Sequence, residues 1–408
     1  MLTLDDLPPD HRLLVRLDLN TAVEDGEVRT NRRFARHAET LARLRADGHA
    51  VGVLAHQGRP GGDDFTTLAA HADLLAETLD GPVSFVPDTH GDEALEAVRD
   101  LDAGEILLLE NVRMTDDELA DRTPAEHGES ALVRALAPEF DAYVNDAYSA
   151  AHRAQASLVG FPEVMPAYAG SVMVTEYEAN RAVAEREFDG PVTMVFGGSK
   201  ATDIVRAMEA LADEVDTVVL GGIAGELALR AEGHPVGHDL PGTDLFDDQW
   251  AEAGDELERV LDAHGDAIRL PVDLAFLDDD RRAEVGVEEI AEKTVAYRDI
   301  GTETLMNYAP VVRDSAAVLV KGALGVFEDE RFSVGTVGLL EAVADTDCFS
   351  VVGGGDTSRA VDLYDLDPAD FDHLSIAGGA YLRALTGEPL PAVEALERAE
   401  AAGRRLAD

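Results

Sequence analysis

The chain reads as an α/β protein made of two doubly wound parallel-sheet domains joined by a long helix and a hinge. Three observations predict this. Short apolar runs alternate with helix-like stretches along most of the sequence, the pattern of a parallel sheet covered by helices. At 408 residues the chain exceeds what one hydrophobic core usually holds. A long helical stretch, Pro166 to Phe188, lies near the middle and separates halves whose strand ends differ in composition.

Composition narrows the possibilities further. An apolar share of 46% suits a protein with buried cores and is too high for a disordered acidic chain. The opening MLTLDDLPPD lacks the basic and apolar regions of a secretion signal, and no apolar run is long enough to span a bilayer. The single cysteine, Cys348, excludes an internal disulfide framework and fits a reducing cytoplasm. A monomer is expected. Against 82 acidic residues stand 33 basic ones, a net charge of −49, and lysine occurs only at Lys200, Lys293 and Lys321. Such a surface repels nucleic acid and anionic lipid, so neither is an expected partner. Its self-repulsion also destabilises the compact state in dilute buffer. In molar salt, where the Debye length is about 3 Å, that repulsion is screened. A protein of a salt-accumulating halophile is therefore expected. Circular dichroism followed against KCl concentration should show folding gained as salt rises; full stability in dilute buffer would refute this.

The first half offers strands at Leu13–Leu17, Ala50–Ala55, Val83–Val86, Ile106–Leu109 and Ala142–Val144, with helix-like stretches such as Arg33–Ala46, Leu68–Leu79 and Ala125–Leu136 between them. The strand ends share a composition. Asp18-Leu19-Asn20 follows the first, with Arg32 and Arg33 opening the next helix. His56-Gln57-Gly58-Arg59 follows the second, Glu110-Asn111-Val112-Arg113 the fourth, and Asn145-Asp146-Ala147-Tyr148 the fifth, leading to His152-Arg153. Ligands of open parallel sheets bind beyond the carboxyl ends of the strands. Arginine's planar fork suits carboxylate and phosphate oxygens. Each arginine alone could simply pair with a nearby surface acid. Four at equivalent strand ends, in a chain so poor in cations, point to an anion-binding basin.

The second half alternates in the same way, but its strand ends carry glycine. Val192–Phe196 runs into Gly197-Gly198-Ser199-Lys200, Thr217–Leu220 into Gly221-Gly222, and Ala317–Val320 into Lys321-Gly322-Ala323-Leu324-Gly325. Ser350–Val352 runs into Gly353-Gly354-Gly355-Asp356-Thr357, and Leu374–Ile376 into Ala377-Gly378-Gly379. Any one of these could be an ordinary tight turn. Together they offer a floor of backbone N–H groups for phosphates or a nucleotide, and Asp356 adds a hard oxygen suited to Mg²⁺. Neither a GxxxxGK[ST] loop nor a GxGxxG fingerprint is present, which disfavours P-loop enzymes and ordinary nicotinamide dehydrogenases. Lys200 and Lys321 both fall in these turns, which favours phosphate contact over surface solvation.

An arginine-lined anion site in one half and a glycine-lined nucleotide site in the other suggest phosphoryl transfer. At this point the sequence closely resembles the phosphoglycerate kinase family, nearly end to end. The resemblance rests on RLDLN (16–20), NRRF (31–34), HQGRP (56–60), LLENVR (108–113), NDAYSAAHRAQAS (145–157), GGSK (197–200), DLPGTDLFDD (239–248), LPVD (270–273), DIGTET (299–304), KGALGVFE (321–328), GGGDTS (353–358) and AGGA (377–380). It implies two Rossmann-like domains. Residues 1–165 would bind phosphoglycerate and 191–388 the nucleotide; 166–190 would be the connecting helix, and 389–408 would return to the first domain. It implies reversible, in-line transfer of the acyl phosphate of 1,3-bisphosphoglycerate to ADP after cleft closure, giving ATP and 3-phosphoglycerate, with Mg²⁺ carried by the nucleotide. On matching positions, Asp18, Leu19, Asn20, Arg33, His56, Gln57, Gly58, Arg59, Arg113 and Arg153 would form the phosphoglycerate site. Lys200, Lys321, Glu328, Gly354, Gly355, Asp356 and Thr357 would form the nucleotide site, with Asp356 holding the metal. Arg33, Lys200, Gly378 and Gly379 would be catalytic. The family often has a second lysine four residues after the one matching Lys200; here Ile204 stands there, and Lys321 is expected to restore part of the charge. The alternatives are a kinase for another small carboxylate and a nucleotide-binding protein without turnover.

Overall fold

The computed structural model describes residues 1–24, 26–186, 188–198, 200–211, 215–237, 245–290 and 296–407, with backbone only at Glu24, 183–185, Leu245 and Asp356. The chain forms two compact units, Met1–Arg181 with Glu388–Asp408, and Ala182–Gly387.

The core of the first unit is a six-stranded, all-parallel sheet in the order Ser84–Phe85, Ile106–Leu108, Ala50–Leu54, Arg12–Arg16, Ala142–Asn145, Ala167–Ala169. Its central strands are covered on both faces, which is why they read as near-continuous apolar runs. Leu13, Val15, Val51, Val53 and Val144 have no exposure at all, and Phe34 and Leu41 of the helix Arg32–Ala46 pack on them. The order of the strands reverses beside Arg12–Arg16. Asp18 and Asp146 both lie just beyond the carboxyl ends of the strands that flank that reversal.

The second unit repeats the design with the order Ile268–Arg269, Thr217–Leu220, Val192–Phe196, Ala317–Lys321, Phe349–Gly353, His373–Ser375, again all parallel. Here the reversal falls between Val192–Phe196 and Ala317–Lys321, and an open α/β sheet binds its ligand at such a point. A three-stranded antiparallel sheet, Arg281–Gly286, Asp273–Asp278 and Tyr297–Ile300, is appended to this unit. The acidic run Asp278–Asp280 is exposed at its hairpin turn, where Asp279 and Asp280 both have positive φ.

Two helical readings need correction. The stretch Pro166 to Phe188 is not helical from its start. Ala167–Ala169 is an edge strand, and the helix is Ser171–Glu185. Asp146 sets the boundary, because its Oδ1 accepts the N–H groups of Val172 and Met173 at 2.8 and 3.2 Å and so satisfies the first turn. The stretch Ala125–Leu136 is two short helices, Pro124–Gly128 and Ala131–Leu136, each capped by its own hydroxyl, Thr123 and Ser130. The last helix, Pro391–Ala401, buries Ala392, Val393, Ala395, Leu396 and Ala399 in the first unit. Its Ala392 N–H donates to Ala151 O at 3.1 Å, and the N-terminal amine of Met1 lies 2.9 Å from Glu400.

Candidate active site

In the first unit, one acid stands among several cations. Asp18 follows the central strand and is only 3% exposed. Its carboxylate accepts hydrogen bonds from the Ser149 hydroxyl and the Asn20 N–H (3.1 Å), lies 3.4 Å from Arg33 Nη1, and lies 3.7 Å from His56 Nδ1. Burial pushes the Asp18 carboxyl up, but Arg33, the Ser149 hydroxyl and Arg16 outweigh it and hold the group well below its ordinary value. Arg33 stands in the first turn of Arg32–Ala46, whose cap, Asn31, accepts the Arg33 N–H at 3.0 Å. Leu19 is fully buried, and Asn20 clamps the loop by accepting the Gly58 N–H at 2.8 Å.

Around this acid lie Arg16, Arg113 and Arg153. Arg113 is 4% exposed and donates through Nη1 to Gly58 O, while its Nε and Nη2 have no partner among the described residues. Burial, with Arg153 and Arg16 nearby, lowers its guanidinium pKa to about 10. Burial and Arg59 likewise lower Arg153. Both shifts say that the folded chain holds these charges against their preference. An anion placed among them would relieve that cost. Arg59 itself is exposed. Gln57 is fully buried and uses its amide within the protein. It accepts from the Thr21 N–H at 3.0 Å, donates to Thr21 O and Asp64 O at 2.9 and 3.1 Å, and meets His71 Nε2 at 3.1 Å.

In the second unit the glycine turns meet at the strand-order reversal. Gly197 N–H donates to Lys321 O at 2.9 Å and Gly198 N–H to Ala323 O at 2.7 Å. A Cβ on Gly322 (φ 85°) would collide with Gly197 O, so close approach of the two turns requires glycine there. Gly354 (φ 105°) caps the helix Gly355–Leu363. Thr357 is fully buried; its hydroxyl accepts the Gly322 N–H at 3.1 Å and donates to Gly353 O at 3.2 Å, tying two turns together. Lys321 Nζ lies 3.4 Å from where a Cβ of Gly354 would be, so the ammonium sits on the GGGDT turn. Lys200 and Glu328 are exposed, with Glu328 3.6 Å from Arg359 Nη1. Gly378 caps the short helix Gly379–Leu385, and Ala377 is fully buried. Ile204 is 3% exposed and packs inward on Ala201–Leu211, while Arg206 on that helix is exposed. Ser199 and the side chain of Asp356 lie outside the described residues.

Sequence reasoning did not single out Arg16, Ser149, Ser157 or Glu118. The signal for Arg16 was available, since a guanidinium follows the apolar run Leu13 to Val15 in the central strand. Its partners come from distant segments that no local pattern links to it.

A doubly wound sheet with a cationic basin, and another with a glycine floor at its reversal, define a phosphate-handling α/β protein. Comparison with known proteins makes this specific. A family model described as phosphoglycerate kinase matches residues 4–388. The chain is 66% identical over 404 residues to a phosphoglycerate kinase of Halorubrum lacusprofundi, covering 99% of each. It is 61% identical over 396 residues to that of Haloarcula marismortui, covering 97% of this chain and 99% of the relative. Among solved structures it is similar to phosphoglycerate kinase from Pyrococcus horikoshii OT3, with a TM-score of 0.91 and 31% identity over 98% of this chain and 100% of that one. The chain belongs to the phosphoglycerate kinase family, phosphotransferases of glycolysis with a carboxyl group as acceptor. The family suggested by sequence motifs is the one found, and the acidic surface accords with its haloarchaeal relatives.

Proposed function

We propose that the first unit holds 3-phosphoglycerate or 1,3-bisphosphoglycerate and the second holds ADP or ATP, and that the acyl phosphate passes between them directly and reversibly. The observation that carries this reading is Arg113, buried beside Arg16 and Arg153 with two donors that find no partner among the described residues, although Asp18 and Glu118 lie nearby. Phosphoryl transfer needs alignment and charge neutralisation more than covalent chemistry. Asp18, Asn20, His56, Arg59, Arg113 and Arg153 bind and orient the acid substrate, with Leu19, Gln57 and Gly58 shaping the loop that presents them. Arg33 faces the transferring group. Gly354, Gly355, Thr357 and Lys321 hold nucleotide phosphates, Glu328 holds ribose hydroxyls, and Lys200, Gly378 and Gly379 complete the phosphoryl site. Substrate binding brings the two units together, which excludes the water that would hydrolyse an acyl phosphate.

Among the described residues no group of three or more His, Cys, Asp or Glu could hold a metal. One carboxylate plus nucleotide phosphates is, however, the usual way to hold Mg²⁺, and a carboxylate at position 356 on the glycine turn fits that donor set. Mg²⁺ there would neutralise phosphate charge. We place a monomeric enzyme in the cytoplasm, a compartment that the single cysteine supports.

The deciding assay is ADP- and Mg²⁺-dependent turnover of 1,3-bisphosphoglycerate in high KCl. Phosphorylation of acetate or aspartate as readily as 3-phosphoglycerate would overturn the substrate assignment. Lys321→Gln should lower turnover by about 10²–10³-fold, the scale of one lost donor at developing charge. Steady-state kinetics check this; undiminished activity would remove Lys321 from the phosphates.

A further inference from the structure

The last residue of the central strand Arg12–Arg16 is a guanidinium with no solvent exposure. A buried cation is tolerated only when hydrogen-bonded. Arg16 donates through Nε to Ser157 Oγ at 2.8 Å and through Nη1 to Leu17 O, and its Nη2 lies 3.1 Å from His56 Nδ1. Ser157 is itself fixed, because its N–H and hydroxyl donate at 2.8 and 2.7 Å to the two oxygens of Glu118, an acid equally without exposure.

A guanidinium has donors and no acceptor. The contact between Nη2 and Nδ1 therefore requires a lone pair on Nδ1, and a neutral imidazole must then carry its proton on Nε2. The charged groups facing His56 are Asp18, Arg16, Arg113 and Arg153. Asp18 Oδ1 lies 3.7 Å from Nδ1, beyond hydrogen-bond distance, and Arg16 is closer. Burial, with the three arginines opposing Asp18, holds the imidazole well below its ordinary value.

We propose that Arg16, braced by Ser157 and Glu118, is a positioning residue that keeps His56 neutral in the Nε2–H tautomer. His56 then offers an anionic substrate a hydrogen bond without a charge, on both sides of neutrality. The substrate role of His56 rests on the proposed phosphoglycerate site, whereas the tautomer can be read in the free protein, so the two can fail separately.

The test is ¹⁵N NMR of the full chain with labelled histidine in high KCl, with His56 assigned through His56→Gln. The expected spectrum shows a protonated Nε2 and an unprotonated Nδ1, unchanged through the range where a free imidazole titrates, about pH 6.5. A proton on Nδ1, or a doubly protonated ring near neutrality, overturns the proposal with no variant needed. Arg16→Met keeps an apolar stem of similar length and removes every donor. His56 should then titrate at higher pH, toward the ordinary imidazole range, and KM for 3-phosphoglycerate should become pH-dependent there. If Arg16→Met does not fold, Ser157→Ala removes only the brace and should shift the titration the same way by less. An unmoved titration in whichever variant folds overturns the proposal. A wild-type His56 signal that ignores added 3-phosphoglycerate would remove His56 as a ligand and leave the tautomer standing.

Discussion

Arg33→Ala should lower turnover by about 10²–10³-fold and leave nucleotide affinity close to wild type. The expected size follows from the role proposed for Arg33 beside the transferring group. Helix geometry and the Asn31 cap place Arg33 at the mouth of the basin, and its guanidinium is anchored before any substrate arrives. Nη1 donates to Asn20 O at 2.8 Å and lies 3.4 Å from Asp18 Oδ2, and the side chain is only 18% exposed. A charge already held in place meets developing charge without reorganising, which is the largest ordinary contribution to such catalysis. Arg33→Lys should recover little, because a point charge does not reproduce the planar fork. Steady-state rates paired with calorimetric nucleotide titration check both halves of the expectation. Unchanged turnover removes Arg33 from the reaction, and a parallel loss of nucleotide affinity places it at the wrong substrate.

Asp18→Asn should destabilise the protein by about 3–5 kcal/mol, the cost of leaving buried cations without their partner. Nearly the same volume is kept, so the loss measures charge and not a cavity. Because the pair is buried, the loss should persist in molar KCl, where surface repulsion is screened. The pH dependence has a definite sign. The folded carboxyl lies below its ordinary 3.8, so its stabilisation is complete above that value and drains away as pH falls toward the folded value. Wild-type stability should therefore decline on acidification below about pH 4, with a component absent from Asp18→Asn. Denaturant unfolding in buffered KCl measures both. A loss under about 1 kcal/mol, or identical acid slopes, would show that Asp18 is not the partner of these arginines.

Both variants lie at positions legible in the sequence, and the reason is physical. Central strands covered on two faces leave apolar runs, and the chemically varied residues begin just past their ends. The family was legible because its blocks sit at those ends in one order. What escaped was set by distance or by shortness. Ala167–Ala169 is only three residues, two of them alanine, the best helix former, and only pairing with Tyr143 to Asn145 makes it a strand. The appended antiparallel sheet was missed because Arg281–Gly286 is half charged and only partly buried, with just Ala283 and Val285 to mark its alternation. Gln57 has the right chemistry for a ligand, but Thr21, Asp64 and His71 occupy its amide. Arg16 could be seen, but its braces, Glu118 and Ser157, come from later segments.

Placing the last helix in the first unit has a consequence for synthesis. The chain leaves the ribosome from its N-terminus, and domains generally fold as units as they emerge. Residues 182–387 are contiguous and have all their partners once Gly387 is out. The first unit begins earlier but lacks Leu396 and Ala399 until Pro391–Ala401 emerges. The unit that starts first is completed last, and a truncated transcript leaves the arginine basin on an unfinished scaffold while the glycine floor is whole.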